Sequence, residues 1–141
     1  MKADARTEAE VQAALKRMTD AYARRDLNGV LDCFATDADV VLYGTGADEK
    51  CIGPDQVRKQ VERDWAQSES AAMAFSWTSV SSAGTVAWAA VDGTFKFRAG
   101  GHEGTMPARG TFVLEKRDGK WLIVHMHVST PNVAQQAGKS F

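Results

Sequence analysis

Apolar residues recur every three or four positions in the first part of the chain and every second position in the last part, and this switch of period divides it into helices and strands. Val11, Leu15, Met18 and Tyr22 follow at spacings of four, three and four, the period of one amphipathic helix face. Thr7 and Glu10 have the spacing of a capping box at its start, and basic residues near Arg25 suit its end. Asp26 is a second cap, and LNGVLDCFA predicts a short helix with Val30, Leu31 and Phe34 inward. The β-branched and aromatic segment ADVVLYG reads as a strand. Gly53-Pro54-Asp55 opens a third helix along which Val57, Val61 and Trp65 repeat. From Met73 onward MAFSWTSV, TVAWAAVDGTFKFRA, GTMPARGTFVLEK and WLIVHMHVS are strand-like, with turns at Ser81-Ser82-Ala83-Gly84, Ala99-Gly100-Gly101-His102 and Arg117-Asp118-Gly119. Helices followed by a meander of long strands give an α+β class.

The last turn decides which side chains share a face. A three-residue loop ending in a left-handed Gly119 pairs Leu114 with Leu122, Phe112 with Val124 and Gly110 with Met126. Alternation then puts Phe112, Leu114, Leu122, Val124, Met126 and Val128 on an apolar face under the helices. The other face carries Trp121 beside Glu115, Ile123 beside Val113, His125 beside Thr111 and His127 beside Arg109. That face is too apolar to stand in water, so a second copy of the protein is the expected cover. A two-residue loop with Asp118-Gly119 at its tip would exchange these partners.

Composition narrows the function classes. The 141 residues suit one domain, taken as 1–131, with the polar segment 132–141 as a fraying tail. A net charge of −1 with interspersed signs leaves no footprint for nucleic acid or an anionic membrane. No apolar run approaches the roughly 18 residues of a membrane span, and the N-terminus has no signal-peptide core. Cys33 and Cys51 have neither redox nor zinc spacing and read as free thiols, so a cytoplasmic protein is expected. His125 and His127 share a strand face but lack a third and fourth ligand, so they read as interface residues and no metal is expected. Phosphate-loop, dinucleotide-fold and nucleophile-elbow motifs are absent, and no cofactor is expected.

YARRDLNGVLDCFATDADV, a third helix reaching Trp65, and a final strand written DGKWLIVHMHVSTP together resemble the NTF2-like superfamily. Within it the chain is similar to SnoaL-like and ketosteroid-isomerase-like proteins and to the association domain of calcium/calmodulin-dependent protein kinase II. The resemblance runs from about Thr7 to Pro131. It implies a cone: a strongly curved antiparallel sheet of five to six strands wrapped around three N-terminal helices, with a pocket between them and a dimer through the outer sheet face. The catalytic tyrosine and aspartate of ketosteroid isomerases fall on Met18 and Leu42, which can neither donate to an oxyanion nor take a proton. The pocket arginines of the association domain fall on Ala90, Phe112 and Val128, whereas its pocket tryptophan has a counterpart in Trp65.

The same alignment points Trp88, Ala90 and Asp92 inward. With Tyr22, Trp65, Phe112, Met126 and Val128 they would line an aromatic cavity holding one carboxylate. Asp92, desolvated there, is then the candidate general acid or base. The alternative makes the aromatic residues core filler and Asp92 a solvated bulge residue. Arg109, Trp121, Ile123, His125 and His127 form the expected dimer interface. Two functions follow: a small-molecule-binding protein with isomerase- or dehydratase-type proton transfer on a largely apolar ligand, or an association module without catalysis. An empty volume beside a buried carboxylate distinguishes the first.

Overall fold

A computed structural model describes Met1–Phe141. The helices are α1 (Ala5–Ala23), α2 (Leu27–Leu31) and α3 (Pro54–Ala66). The strands are β1 (Val41–Tyr43), β2 (Lys50–Ile52), β3 (Ser70–Ala83), β4 (Val86–Ala99), β5 (His102–Arg117) and β6 (Lys120–Ser129). They form one open sheet in the order β2-β1-β6-β5-β4-β3. The sheet is mixed, because β1 runs parallel to β6 while the other neighbours are antiparallel. The helices pack against one face of this sheet, in the cone arrangement expected for an NTF2-like chain.

Local chemistry accounts for the helix ends. Asp4, not Thr7, caps α1: its Oδ1 accepts the Thr7 backbone N–H at 2.7 Å. An Asp three residues ahead of the third helical N–H reaches that donor directly, which leaves Glu10 free for other partners. Asp26 caps α2 through the Gly29 N–H. Pro54 occupies the first turn of α3, where its missing N–H costs nothing.

The hairpin between β5 and β6 departs from the three-residue expectation. Asp118 (φ 49°) and Gly119 (φ 77°) are both left-handed, and Arg117 pairs with Lys120 across them. Such a two-residue turn matches the right-handed twist of the flanking strands. Leu114 consequently faces Ile123, and then the register slips: Val113 faces His125, with Val124 as the extra residue. Parity is thereby reversed between the turn and the bulge. Trp121 and Ile123 point inward, 5% and 1% exposed, while Leu122 and Val124 are only partly buried. Past the bulge Met126 and Val128 are inward as expected, opposite Phe112 and Gly110. The expected interface role of Trp121 and Ile123 is therefore corrected: they belong to the core.

A second bulge, at Ser76, shifts β3 against β4 between the pairs Phe75–Gly93 and Trp77–Asp92. Gly93 is required here, because a Cβ would run into the Ala74 carbonyl oxygen. Along β4 the buried residues are Ala87, Ala89 and Val91. Trp88, Ala90 and Asp92 alternate with them and face outward, opposite to the expected parity. β4 itself runs against β5 without a register shift, so the ungapped transfer of positions was one residue out along it.

Glu10 ties the last hairpin to α1. Its Oε2 accepts from Lys116 Nζ (2.8 Å) and from the Trp121 indole N–H (2.9 Å), and its Oε1 from Arg6 (2.9 Å). The Lys116 bond, reinforced by Trp121 and Arg6, lowers its pKa from 4.5 to about 2. A depressed carboxyl stabilises the fold fully above the unfolded value and loses that contribution as pH falls through the folded one. Urea midpoints should thus fall more steeply between pH 4.5 and 2 in the native chain than in Glu10→Gln. Parallel acid limbs would show that the clamp contributes nothing.

Candidate functional site

The concave side of the sheet does not close onto the helices everywhere. A cavity of about 360 Å³ remains between α1, α3 and the distal halves of β4 and β5. Its walls are mostly apolar, and Met18, Met73, Met106, Met126, Phe95 and Phe97 contribute flexible thioethers and ring faces. That volume and lining suit a small, largely hydrocarbon molecule.

One end is polar. Tyr22, on the inner face of α1, and Asp64, on α3, meet there: the tyrosine hydroxyl donates to Asp64 Oδ2 at 2.8 Å. Gln60, one turn earlier on α3, donates through Nε2 to Asp64 Oδ1 (2.8 Å) and to Glu49 Oε1 (3.3 Å). The turn after β1 supplies Glu49, whose Oε2 accepts the Gly46 N–H at 2.8 Å. Arg63 braces this turn from outside, bonded to Asp48 at 2.9 Å and more weakly to Glu49 at 3.5 Å. Burial raises the Asp64 pKa above its ordinary value, and the bonds from Tyr22 and Gln60 only partly oppose it. Burial, with the negative charge of Asp64 second, raises that of Tyr22 above the usual phenol range.

Of the residues expected to bind ligand, Tyr22, Met126 and Val128 stand on the cavity wall. Phe112 is fully buried but lies in the packed core beyond that wall. Trp65 packs against Tyr22 with ring centroids 5.8 Å apart, off the wall, and its buried indole N–H has no partner. Trp88 lies on the outer sheet face, and Asp92 is exposed there between Trp77 and Arg109. The expected placement of Asp92 as a desolvated base is thus corrected. Arg109, His125 and His127 are also on the outer face, where the His127 ring lies tilted against that of Tyr43 with centroids 5.3 Å apart. No group of three or more His, Cys, Asp or Glu side chains has an arrangement that could hold a metal ion.

Sequence reasoning missed Asp64. Steps of four along α3 select Val57, Val61 and Trp65, whereas the cavity uses the three-residue step from Val61 to Asp64. A carboxylate one such step along an inward apolar stripe, one turn after Gln60, was the available signal.

Known proteins share this architecture. A structure described as an NTF2-like superfamily protein from Salmonella enterica superposes with a TM-score of 0.85 at 16% identity, covering 99% of this chain and all (100%) of the other. A candidate dehydratase of the NTF2-like family from Streptomyces avermitilis gives 0.81 at 17% identity, over 87% of this chain and 95% of that one. A candidate calcium/calmodulin-dependent protein kinase II association domain from Xanthomonas campestris gives 0.78 at 29% identity, over 88% and 87% respectively. No curated protein matches the chain. The model of the SnoaL-like domain matches residues 11–133, most of the chain, and the protein belongs to that family, with the fold of NTF2-like proteins.

Proposed function

We propose that the cavity binds a small, largely apolar molecule and that Asp64 and Tyr22 move protons on it, in a dehydration or isomerisation. The observation that carries this reading is a partly buried carboxylate in hydrogen-bond contact with a phenol at one end of an otherwise apolar cavity. Dehydratase names among the structural neighbours support it, although those likenesses show the fold alone. Asp92 is replaced in this reading by Asp64. The buried free thiols Cys33 and Cys51 suit a reducing, cytoplasmic setting, and no helix is long and apolar enough to cross a membrane.

A dehydration can be written so that every proton is accounted for. Ionised Asp64 takes the proton α to a carbonyl, the carbon–carbon double bond forms, and the β-hydroxyl leaves as water with the proton of the Tyr22 hydroxyl. Protonated Asp64 then returns a proton to the tyrosinate across their 2.8 Å contact, restoring both groups. Neutralising Asp64 in the first step removes the charge that helps hold the phenol proton, so the acid is released when it is needed. With an aryl β-hydroxyketone as probe and enone absorbance as readout, Asp64→Asn should lower kcat by about 10²–10⁴-fold. The native pH profile should rise with an inflection above the ordinary aspartate value, a feature missing from the variant. Turnover and profile unchanged in Asp64→Asn would remove the catalytic assignment.

A second reading, an association module, is favoured by the 29% identical structure described as an association domain. It need not exclude the first. The outer sheet face presents Trp77, 53% exposed, next to the oppositely charged neighbours Asp92 and Arg109. A two-fold-related copy can set Asp92 of each protomer against Arg109 of the other, with Trp77 covered between them. Sedimentation should therefore report a dimer, and Trp77→Asp should shift it toward monomer with unchanged secondary structure. A dimer unaffected by Trp77→Asp would rule out this face.

A further inference from the structure

The charge at the polar end of the cavity has one sign. Glu49 and Asp64 stand on the wall, whereas no lysine, arginine or histidine does. Two guanidiniums lie close by, neither on the wall, and Arg63 reaches Glu49 only weakly, at 3.5 Å. Arg63 bonds chiefly to Asp48 on the outside of the turn. Arg25 donates to the carbonyl oxygens of Trp65 and Ser68, both at 2.7 Å, and so serves the negative end of α3. The two wall carboxylates, with Arg63 shared with Asp48 and Arg25 held by backbone carbonyls, leave the interior negative. Glu49 is only 17% exposed, so solvent screens this charge weakly.

Aromatic side chains line the cavity as well. Tyr22 and Phe95 meet edge to face at 6.0 Å, and Phe34 and Phe97 share the wall. Ring faces attract cations, and desolvation strengthens that attraction. An anionic group would enter with no basic partner to offset its desolvation, against two like charges. A hydroxyl could donate one hydrogen bond but would gain nothing from the field. We infer that the cavity takes a lipophilic amine, its protonated nitrogen beside Asp64 and Glu49 and its hydrocarbon body among the methionines and phenylalanines.

This inference rests on the reading of the cavity as a small-molecule site, and one titration series separates the two. Phenethylamine, phenethyl alcohol and phenylacetate share an aryl frame and differ in charge. By calorimetry near neutral pH the amine should bind the native chain about tenfold more tightly than the alcohol, with phenylacetate weakest. In Asp64→Asn, and independently in Glu49→Gln, most of the amine's advantage over the alcohol should vanish. Amine and alcohol binding equally, phenylacetate binding tightest, or none of the three binding would overturn the ligand class. Failure of neutral naphthalene to bind as well, read by its fluorescence, would overturn the small-molecule reading with it.

Discussion

Side-chain parity along the last hairpin is the constraint on which the rest of the structure depends. A two-residue turn at Asp118-Gly119 and one extra residue at Val124 act together. The turn sends Trp121 and Ile123 toward the helices, where the Trp121 indole reaches Glu10 on α1. The bulge then restores the alternation, so that Met126 and Val128 face the cavity and both neighbouring histidines face away. Without the bulge, continued alternation would turn the imidazoles toward the helices and Met126 and Val128 outward. One residue thus decides which half of β6 serves the core, the cavity and the outer surface.

The helices complete the cavity by a different logic. α1 and α3 are each amphipathic, but each places polar residues on its inward stripe, Tyr22 foremost on α1 and Asp64 on α3. Neither would be tolerated alone in an apolar wall. Together, with Gln60 and Glu49 beside them, they satisfy one another and hold a proton between two groups whose affinities burial has raised. The same arrangement that makes the pair stable suits it to the proposed proton transfer and to the proposed cationic guest.

The helices, the strand-rich second half and the family were legible in the sequence because they rest on periodicity and on motifs of local spacing. Val11, Leu15, Met18 and Tyr22 do line the buried side of α1. Parity was not legible. The two-residue turn that sends Trp121 and Ile123 inward and the bulge at Val124 that restores the alternation leave no unambiguous local mark, while the ungapped transfer of positions alone put Trp88 and Asp92 on the wrong face. Asp64 escaped for a related reason: consecutive steps of three and four both fit an α-helix, and only the tertiary position of Tyr22 selects between them.

The bulge at Val124 can be observed directly by cross-strand nuclear Overhauser contacts in β5–β6. Backbone contacts linking Leu114 with Ile123, Val113 with His125 and Phe112 with Met126 are the predicted result. Contacts linking Leu114 with Leu122 and Phe112 with Val124 would mean a three-residue turn and contradict the placement of the core tryptophan. Contacts linking Val113 with Val124 and Phe112 with His125 would mean an unbroken ladder and contradict the outward histidines.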